Sequence, residues 1–223
     1  MQIAIPLFDR FTALDAVGPY EVLSKLPGAE IRWVSADPGP QRADTRMLTI
    51  LAEDSLDDVP EPDVLVFPGG YGTRAVMRDE RYLSWVRHVH EHSQWTTSVC
   101  TGALVLGAAG ILDGLDATTF WAELETLGEL GAKPCERRVV EQGKVITAAG
   151  VSSGIDMALV LAARIAGEDV AKMIQLGIEY DPQPPFDSGS TKKAGPELVE
   201  LVRTALRAEE SAGPATTEVS RTS

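Results

Sequence analysis

Trp95-Thr96-Thr97-Ser98-Val99-Cys100-Thr101-Gly102-Ala103-Leu104-Val105-Leu106-Gly107-Ala108-Ala109 is the stretch that decides the fold. Its first five residues are rich in the β-branched and aromatic types of a buried strand. Gly102 to Ala109 is small and apolar, as a helix packed closely on a sheet must be. A thiol stands between them. A strand handing over to a helix through Cys-Thr-Gly predicts a sharp elbow that projects the side chain over the sheet. Outward from there, Asp63 to Phe67 is an apolar run that stops at Pro68-Gly69-Gly70, the pattern of a buried parallel strand ending in a glycine turn. Gln2 to Phe8 reads as a first buried strand, Glu30 to Ala36 as a second and Met47 to Ala52 as a third. Arg137 to Val140 and Val145 to Ala148 read as a strand pair joined at Gln142-Gly143.

Helical spacing marks Ala13 to Leu26, where Gly18-Pro19 is expected to bend or interrupt the helix. It also marks Glu80 to Ser93, Phe120 to Leu130, a long helix capped by Ser152-Ser153 and running to Ala166, and Asp169 to Ile178. Tyr180 to Gly195 is rich in Pro, Gly and Ser and reads as an extended arm. Pro196 opens a last helix ending near Arg207. Strands alternating with helices predict a mostly parallel sheet covered on both faces, with ligands at the carboxyl ends of its strands. Residues 1–207 are expected to form a single domain, and 208–223, which lack apolar periodicity, a disordered tail.

The chain has 223 residues, 44% hydrophobic and 24% charged, enough for a sizeable core. Its net charge of −13, with no basic run longer than Arg137-Arg138 or Lys192-Lys193, argues against a nucleic-acid partner. No apolar run approaches the roughly 20 residues of a membrane span. Met1 to Phe8 is too short for a signal peptide. Cys100 and Cys135 make neither a disulfide framework nor a zinc site, so a reducing, cytoplasmic setting is expected.

Cys100 is the candidate nucleophile; the helix start beside it is expected to lower its pKa. Pro68-Gly69-Gly70 brings bare N–H groups toward the thiol, where Gly69 and Gly70 would wall an anion site. Asp15, near the start of the first helix, is either an ordinary first-turn acid or a carboxyl that passes protons, raised in pKa by burial. His88, His90 and His92 share one helix. His88 and His92 have metal-ligand spacing, but no acid or cysteine partner is evident, so a solvated face is expected and no metal site.

These residues together resemble the ThiJ/PfpI superfamily, a flavodoxin-like α/β fold related to class I glutamine amidotransferases. The match runs over about residues 1–207. It rests on Asp15 to Leu23, Val66-Phe67-Pro68-Gly69-Gly70, Ser98 to Gly102, Ala117-Thr118-Thr119, Ala149-Gly150-Val151-Ser152-Ser153-Gly154-Ile155-Asp156 and Tyr180 to Asp187. The resemblance implies a three-layer sandwich, a homodimer, and no metal or organic cofactor. It is nearest to the branch that hydrates isonitriles to N-substituted formamides, a small-molecule lyase chemistry. Carried over by motif, Cys100 is the nucleophile and Asp15 its carboxyl partner. Thr101 orients substrate or water, the Gly70 N–H belongs to the anion wall, and Val151 is the apolar residue facing the thiolate. Many members have a histidine after Ala-Thr-Thr; Phe120 stands there in this chain, which weakens the amidase, protease and glyoxalase readings. The competing readings are a glyoxalase- or deglycase-like enzyme on reactive carbonyls and a non-enzymatic redox or ligand sensor.

Overall fold

The computed structural model describes residues 1–211, so the last twelve positions of the expected tail lie outside the described residues. The strands are β1 (Gln2–Pro6), β2 (Glu30–Ser35), β3 (Gly39–Arg42), β4 (Thr49–Ala52), β5 (Asp54–Ser55), β6 (Val64–Phe67), β7 (Trp95–Val99), β8 (Asp116–Ala117), β9 (Lys133–Pro134), β10 (Val139–Gln142) and β11 (Val145–Ala148). The helices are α1 (Ala13–Leu23), α2 (Thr73–Val76), α3 (Glu80–His92), α4 (Gly102–Ala108), α5 (Leu124–Glu129), α6 (Ser153–Ala166), α7 (Glu168–Gly177), α8 (Thr191–Ala194) and α9 (Pro196–Ser211).

Seven strands form one sheet in the order β10-β11-β7-β6-β1-β2-β5. All its pairings are parallel except β10 with β11. The continuous apolar runs of β1 and β6 fall in the middle, where Ile3, Ile5, Val64, Leu65, Val66 and Phe67 are all sealed from solvent; a strand covered on both faces has no polar side to alternate with. On one face α1 packs on α6 and α6 on α7; on the other α4 packs with α2, α3 and α5. The result is the flavodoxin-like, doubly wound arrangement, with its reversal of strand order between β1 and β6. Ligand crevices open at the carboxyl ends beside such a reversal. The loops after β1, β6 and β7 all emerge there.

The edge strand β5 has only two residues, and both oxygens of Asp54 are taken by the Arg32 guanidinium at 2.7 and 2.5 Å. Three expectations are corrected. Helix α1 is not interrupted: it runs through Pro19, whose ring is packed toward Gly154 of α6. Residues Thr49–Ala52 pair with Gly39–Arg42 in a separate antiparallel hairpin and do not join the main sheet. Ser152 makes no side-chain cap bond; its hydroxyl accepts from Arg138, and the buried Ser153 hydroxyl has no hydrogen-bond partner.

The chain divides into two compact units, Met1–Tyr180 and Asp181 onward. The second, taken alone, is an irregular Pro- and Ser-containing segment followed by α8 and α9, with Lys193 paired to Asp187 at 2.5 Å. Helix α9 passes the expected end at Arg207 and reaches Ser211.

Candidate active site

Cys100 leaves β7 with φ = 56°, a left-handed conformation that few non-glycine residues adopt. The surroundings hold it there. Its N–H donates to the carbonyls of Ala148 and Ala149, both at 3.0 Å, and its carbonyl accepts from the Thr119 hydroxyl at 2.8 Å. Gly102 makes the elbow possible: a Cβ there would lie 2.2 Å from the Phe67 carbonyl oxygen, so only glycine lets α4 start this close to β6.

Asp15 lies in the first turn of α1 and is completely buried. It caps nothing at its own helix start, where Thr12 is the N-cap residue. Instead its Oδ2 accepts the Gly69 N–H at 2.9 Å, while its Oδ1 is buried with no hydrogen-bond partner. The loop after β6 thus presses its backbone onto the carboxyl. A Cβ at Gly69 would fall 2.8 Å from Asp15 Oδ2 and 2.6 Å from the Thr101 nitrogen.

Burial pushes the Asp15 carboxyl from 3.8 up to about 8; the Gly69 N–H and the Cys100 thiol pull the other way without offsetting it. Burial also pushes the Cys100 thiol well above its ordinary range, and the neighbouring Asp15 charge pushes it further. The N–H groups of Thr101 and Val151, which hydrogen-bond the sulfur, act downward. This corrects the expectation of a lowered thiol pKa. The helix start does supply stabilising N–H groups, but a sulfur in a residue only 5% exposed loses more hydration than they return. The two groups therefore hold protons into the neutral range and form one coupled acid–thiol pair.

The anion wall is also rearranged. The Gly69 N–H is spent on Asp15, and the Gly70 N–H on the Thr101 hydroxyl at 2.9 Å, so neither glycine offers a free donor to a ligand. The Thr101 hydroxyl, expected to orient substrate or water, instead reaches Gly70. The donors that face the sulfur are the backbone N–H groups of Thr101 and Val151. Val151 was expected to act through its apolar side chain; its N–H is the group that reaches the thiol. Backbone groups carry no residue signature, which is why the sequence hid them. The Val151 loop is tied down by a network: Arg138 to Asp156 at 2.5 Å and to Ser152 at 3.2 Å, with the Tyr180 hydroxyl donating to Asp156 at 3.1 Å. Phe120, which stands in place of the histidine, packs its ring against Gly150 beside that loop.

The DJ-1/PfpI family model matches residues 1–164, from β1 through most of α6. The chain belongs to the DJ-1/PfpI family. Among curated proteins it is 43% identical over 203 residues to the isonitrile hydratase of Pseudomonas putida, covering 91% of this chain and 89% of that one. Among solved structures it resembles a ThiJ/PfpI family protein from Pseudomonas syringae, with a TM-score of 0.90 and 35% identity over 94% of this chain and 87% of that one. Drosophila melanogaster DJ-1beta shares the fold, with a TM-score of 0.74 at 19% identity over 81% of this chain and 98% of that one. In this DJ-1/PfpI chain the three histidines stay away from the elbow. All lie on α3, whose carboxyl end leads into the amino end of β7, whereas Cys100 follows the other end of that strand. The expectation that His88 and His92 lack an acidic partner is corrected: Glu61, from the loop before β6, faces both. Among the described residues no helix is long and apolar enough to cross a membrane.

Proposed function

We propose that this chain is an isonitrile hydratase acting through Cys100 and Asp15. The observation that supports it most strongly is the buried, coupled Cys100–Asp15 pair, in a chain 43% identical over nearly its whole length to a hydratase of that kind. The terminal carbon of an isonitrile is electrophilic and unhindered. Cys100 sulfur forms a bond to it as the thiol proton passes through Asp15 to that carbon, giving a thioimidate, R–N=CH–S–Cys. A neutral carboxyl at neutral pH is suited to this transfer, and its orphaned Oδ1 leaves a lone pair free to exchange the proton. Asp15 then takes a proton from water as the oxygen adds to the same carbon. Asp15 passes its own proton to the nitrogen in the same step; the C–S bond then breaks as the new hydroxyl's proton moves through Asp15 to the departing sulfur, and R–NH–CHO departs. One water is consumed and the residues return to their starting state. The Thr101 and Val151 N–H groups stabilise the sulfur whenever it carries charge.

This chemistry needs no histidine, in keeping with Phe120 at the position after Thr119 and with the three histidines on α3. A redox sensor works through an exposed, low-pKa thiol; Cys100 is buried and its pKa is raised, which weighs against that reading. A homodimer in the cytoplasm, implied by the family resemblance, belongs to the same proposal; sedimentation velocity at micromolar concentration tests the dimer. The activity test follows formamide formation from para-nitrophenyl isocyanide by ultraviolet absorbance, with wild type and Cys100→Ala side by side. Turnover by wild type alone is the expected result. Full activity in Cys100→Ala, or none in folded, reduced wild type, overturns the proposal, and methylglyoxal consumption in the latter case points to the carbonyl reading.

A further inference from the structure

We propose that Glu61, His88 and His92 form a surface site for a divalent transition-metal ion of the zinc type, at the amino edge of the sheet opposite the Cys100 elbow. Glu61 precedes β6 and His92 precedes β7 by the same three residues, and these two strands pair in parallel with Val64 opposite Trp95. The topology thus sets the two side by side. His88 lies one helical turn before His92 on the same face of α3, their rings 4.3 Å apart. Glu61 Oε1 lies 3.5 Å from His88 Nε2 and 3.9 Å from His92 Nε2, and the ligand atoms of the three residues lie within 4.8 Å of one another. Bonds of about 2.0–2.2 Å at tetrahedral angles put ligand atoms roughly 3.3–3.5 Å apart. The set needs only small side-chain rotations to close on an ion.

Two further observations favour a metal over a solvated helix face. His92 Nδ1 lies 2.8 Å from the His88 carbonyl oxygen. A carbonyl only accepts, so Nδ1 carries a proton, which leaves Nε2, on the side of Glu61, as the ring nitrogen able to ligate a metal. This is the arrangement in which an outer hydrogen bond orients a histidine ligand.

The acid's backbone is also prearranged. Glu61 sits between Pro60 and Pro62, which restrict its conformation. The loop is stapled to the helix on both sides of it. The Trp85 Nε1–H donates to the Val59 carbonyl at 3.0 Å, and Asp63 accepts from the Gln94 side chain at 2.8 Å just beyond α3. All three candidate ligands are exposed, so an ion can reach them, and three protein ligands leave a fourth position for water.

The test titrates Zn²⁺ into tag-free, reduced full-length protein against a chromophoric chelator. His88→Gln, His92→Gln, Glu61→Gln and the double histidine variant are compared with wild type. Wild type is expected to bind one equivalent with a dissociation constant at or below the micromolar range, and each single variant about tenfold or more weaker. Zinc should raise the melting temperature of wild type and not of the double variant. In the proton NMR spectrum of wild type, the His88 and His92 ring signals should move with zinc while those of His90, hydrogen-bonded to Thr96, stay. That readout needs no variant, so a variant that misfolds leaves the test intact. Equal zinc affinity in wild type and a folded double variant, as a Cys100 or Cys135 site would give, overturns the proposal. So does failure of wild type to bind at millimolar zinc.

Discussion

Replacing Asp15 with asparagine keeps the shape of the side chain and an oxygen to accept the Gly69 N–H, and removes only the titrating group. The wild-type carboxyl titrates near 3.8 when unfolded and near 8 when folded, because burial penalises its charge. The folded protein therefore retains a proton that the unfolded chain releases. The stabilisation from the neutral carboxyl is complete below about pH 4 and is lost as pH rises to about 8. At about 1.4 kcal/mol per pH unit the full loss is on the order of 6 kcal/mol, and the part falling between pH 5.5 and 8 is about 3 kcal/mol. Over that window Asp15→Asn should gain about 3 kcal/mol on wild type. Stopping at pH 8 leaves the thiols of the unfolded chain mostly protonated. Urea unfolding followed by tryptophan fluorescence, at half-unit steps of pH, measures the difference directly. A difference between the two proteins that stays constant within about 0.5 kcal/mol across the window would refute a buried carboxyl with a raised pKa and with it the acid role assigned to Asp15.

Other consequences are open to quick measurement. Because a charged Asp15 raises the thiol, Asp15→Asn should lower the Cys100 pKa and speed iodoacetamide labelling at about pH 9, where the wild-type carboxyl that titrates near 8 is ionised, by about tenfold for each unit of lowering; unchanged labelling there would uncouple the pair. Gly102→Ala places a methyl against the Phe67 carbonyl and should cost about 3 kcal/mol, read from urea midpoints, or displace the elbow enough to abolish turnover. Thr119→Val removes the hydroxyl that holds the strained Cys100 carbonyl; a loss of about 1–2 kcal/mol in unfolding free energy is expected, with turnover falling as the thiol loses its fixed direction.

The parts of this molecule that sequence reveals are those where side-chain type and chain geometry constrain each other. The apolar runs of β1 and β6 are legible because strands buried on both faces tolerate little else, and the Cys-Thr-Gly elbow is legible because Gly102 has no room for a Cβ. The hairpin β3–β4 was misread because Gly39-Pro40-Gln41-Arg42 has neither apolar alternation nor burial to advertise a strand. Asp15, Cys100, Gly69 and Thr101 are indeed brought together, but what they do to one another depends on who receives each N–H. Gly69 serves Asp15, Gly70 serves Thr101, and Val151 approaches the sulfur with its backbone. The direction of the thiol's pKa was misjudged because a helix start is visible in sequence and complete desolvation is not. Glu61 escaped notice beside His88 and His92 because only the parallel pairing of β6 with β7 makes them neighbours.

The sparse outer strand of the sheet has a bearing on how this protein behaves when crowded. A long bare edge invites another chain to add itself by backbone pairing. Here β5 offers two residues, with Asp54 already gripped by Arg32. The opposite border, β10, carries Glu141 bonded to Arg164 at 2.9 Å. Each border thus carries charge that a recruited strand would have to desolvate. Replacing both charged pairs, Arg32–Asp54 and Arg164–Glu141, with neutral residues should therefore leave the elbow chemistry intact and increase accretion through the sheet edges at high concentration.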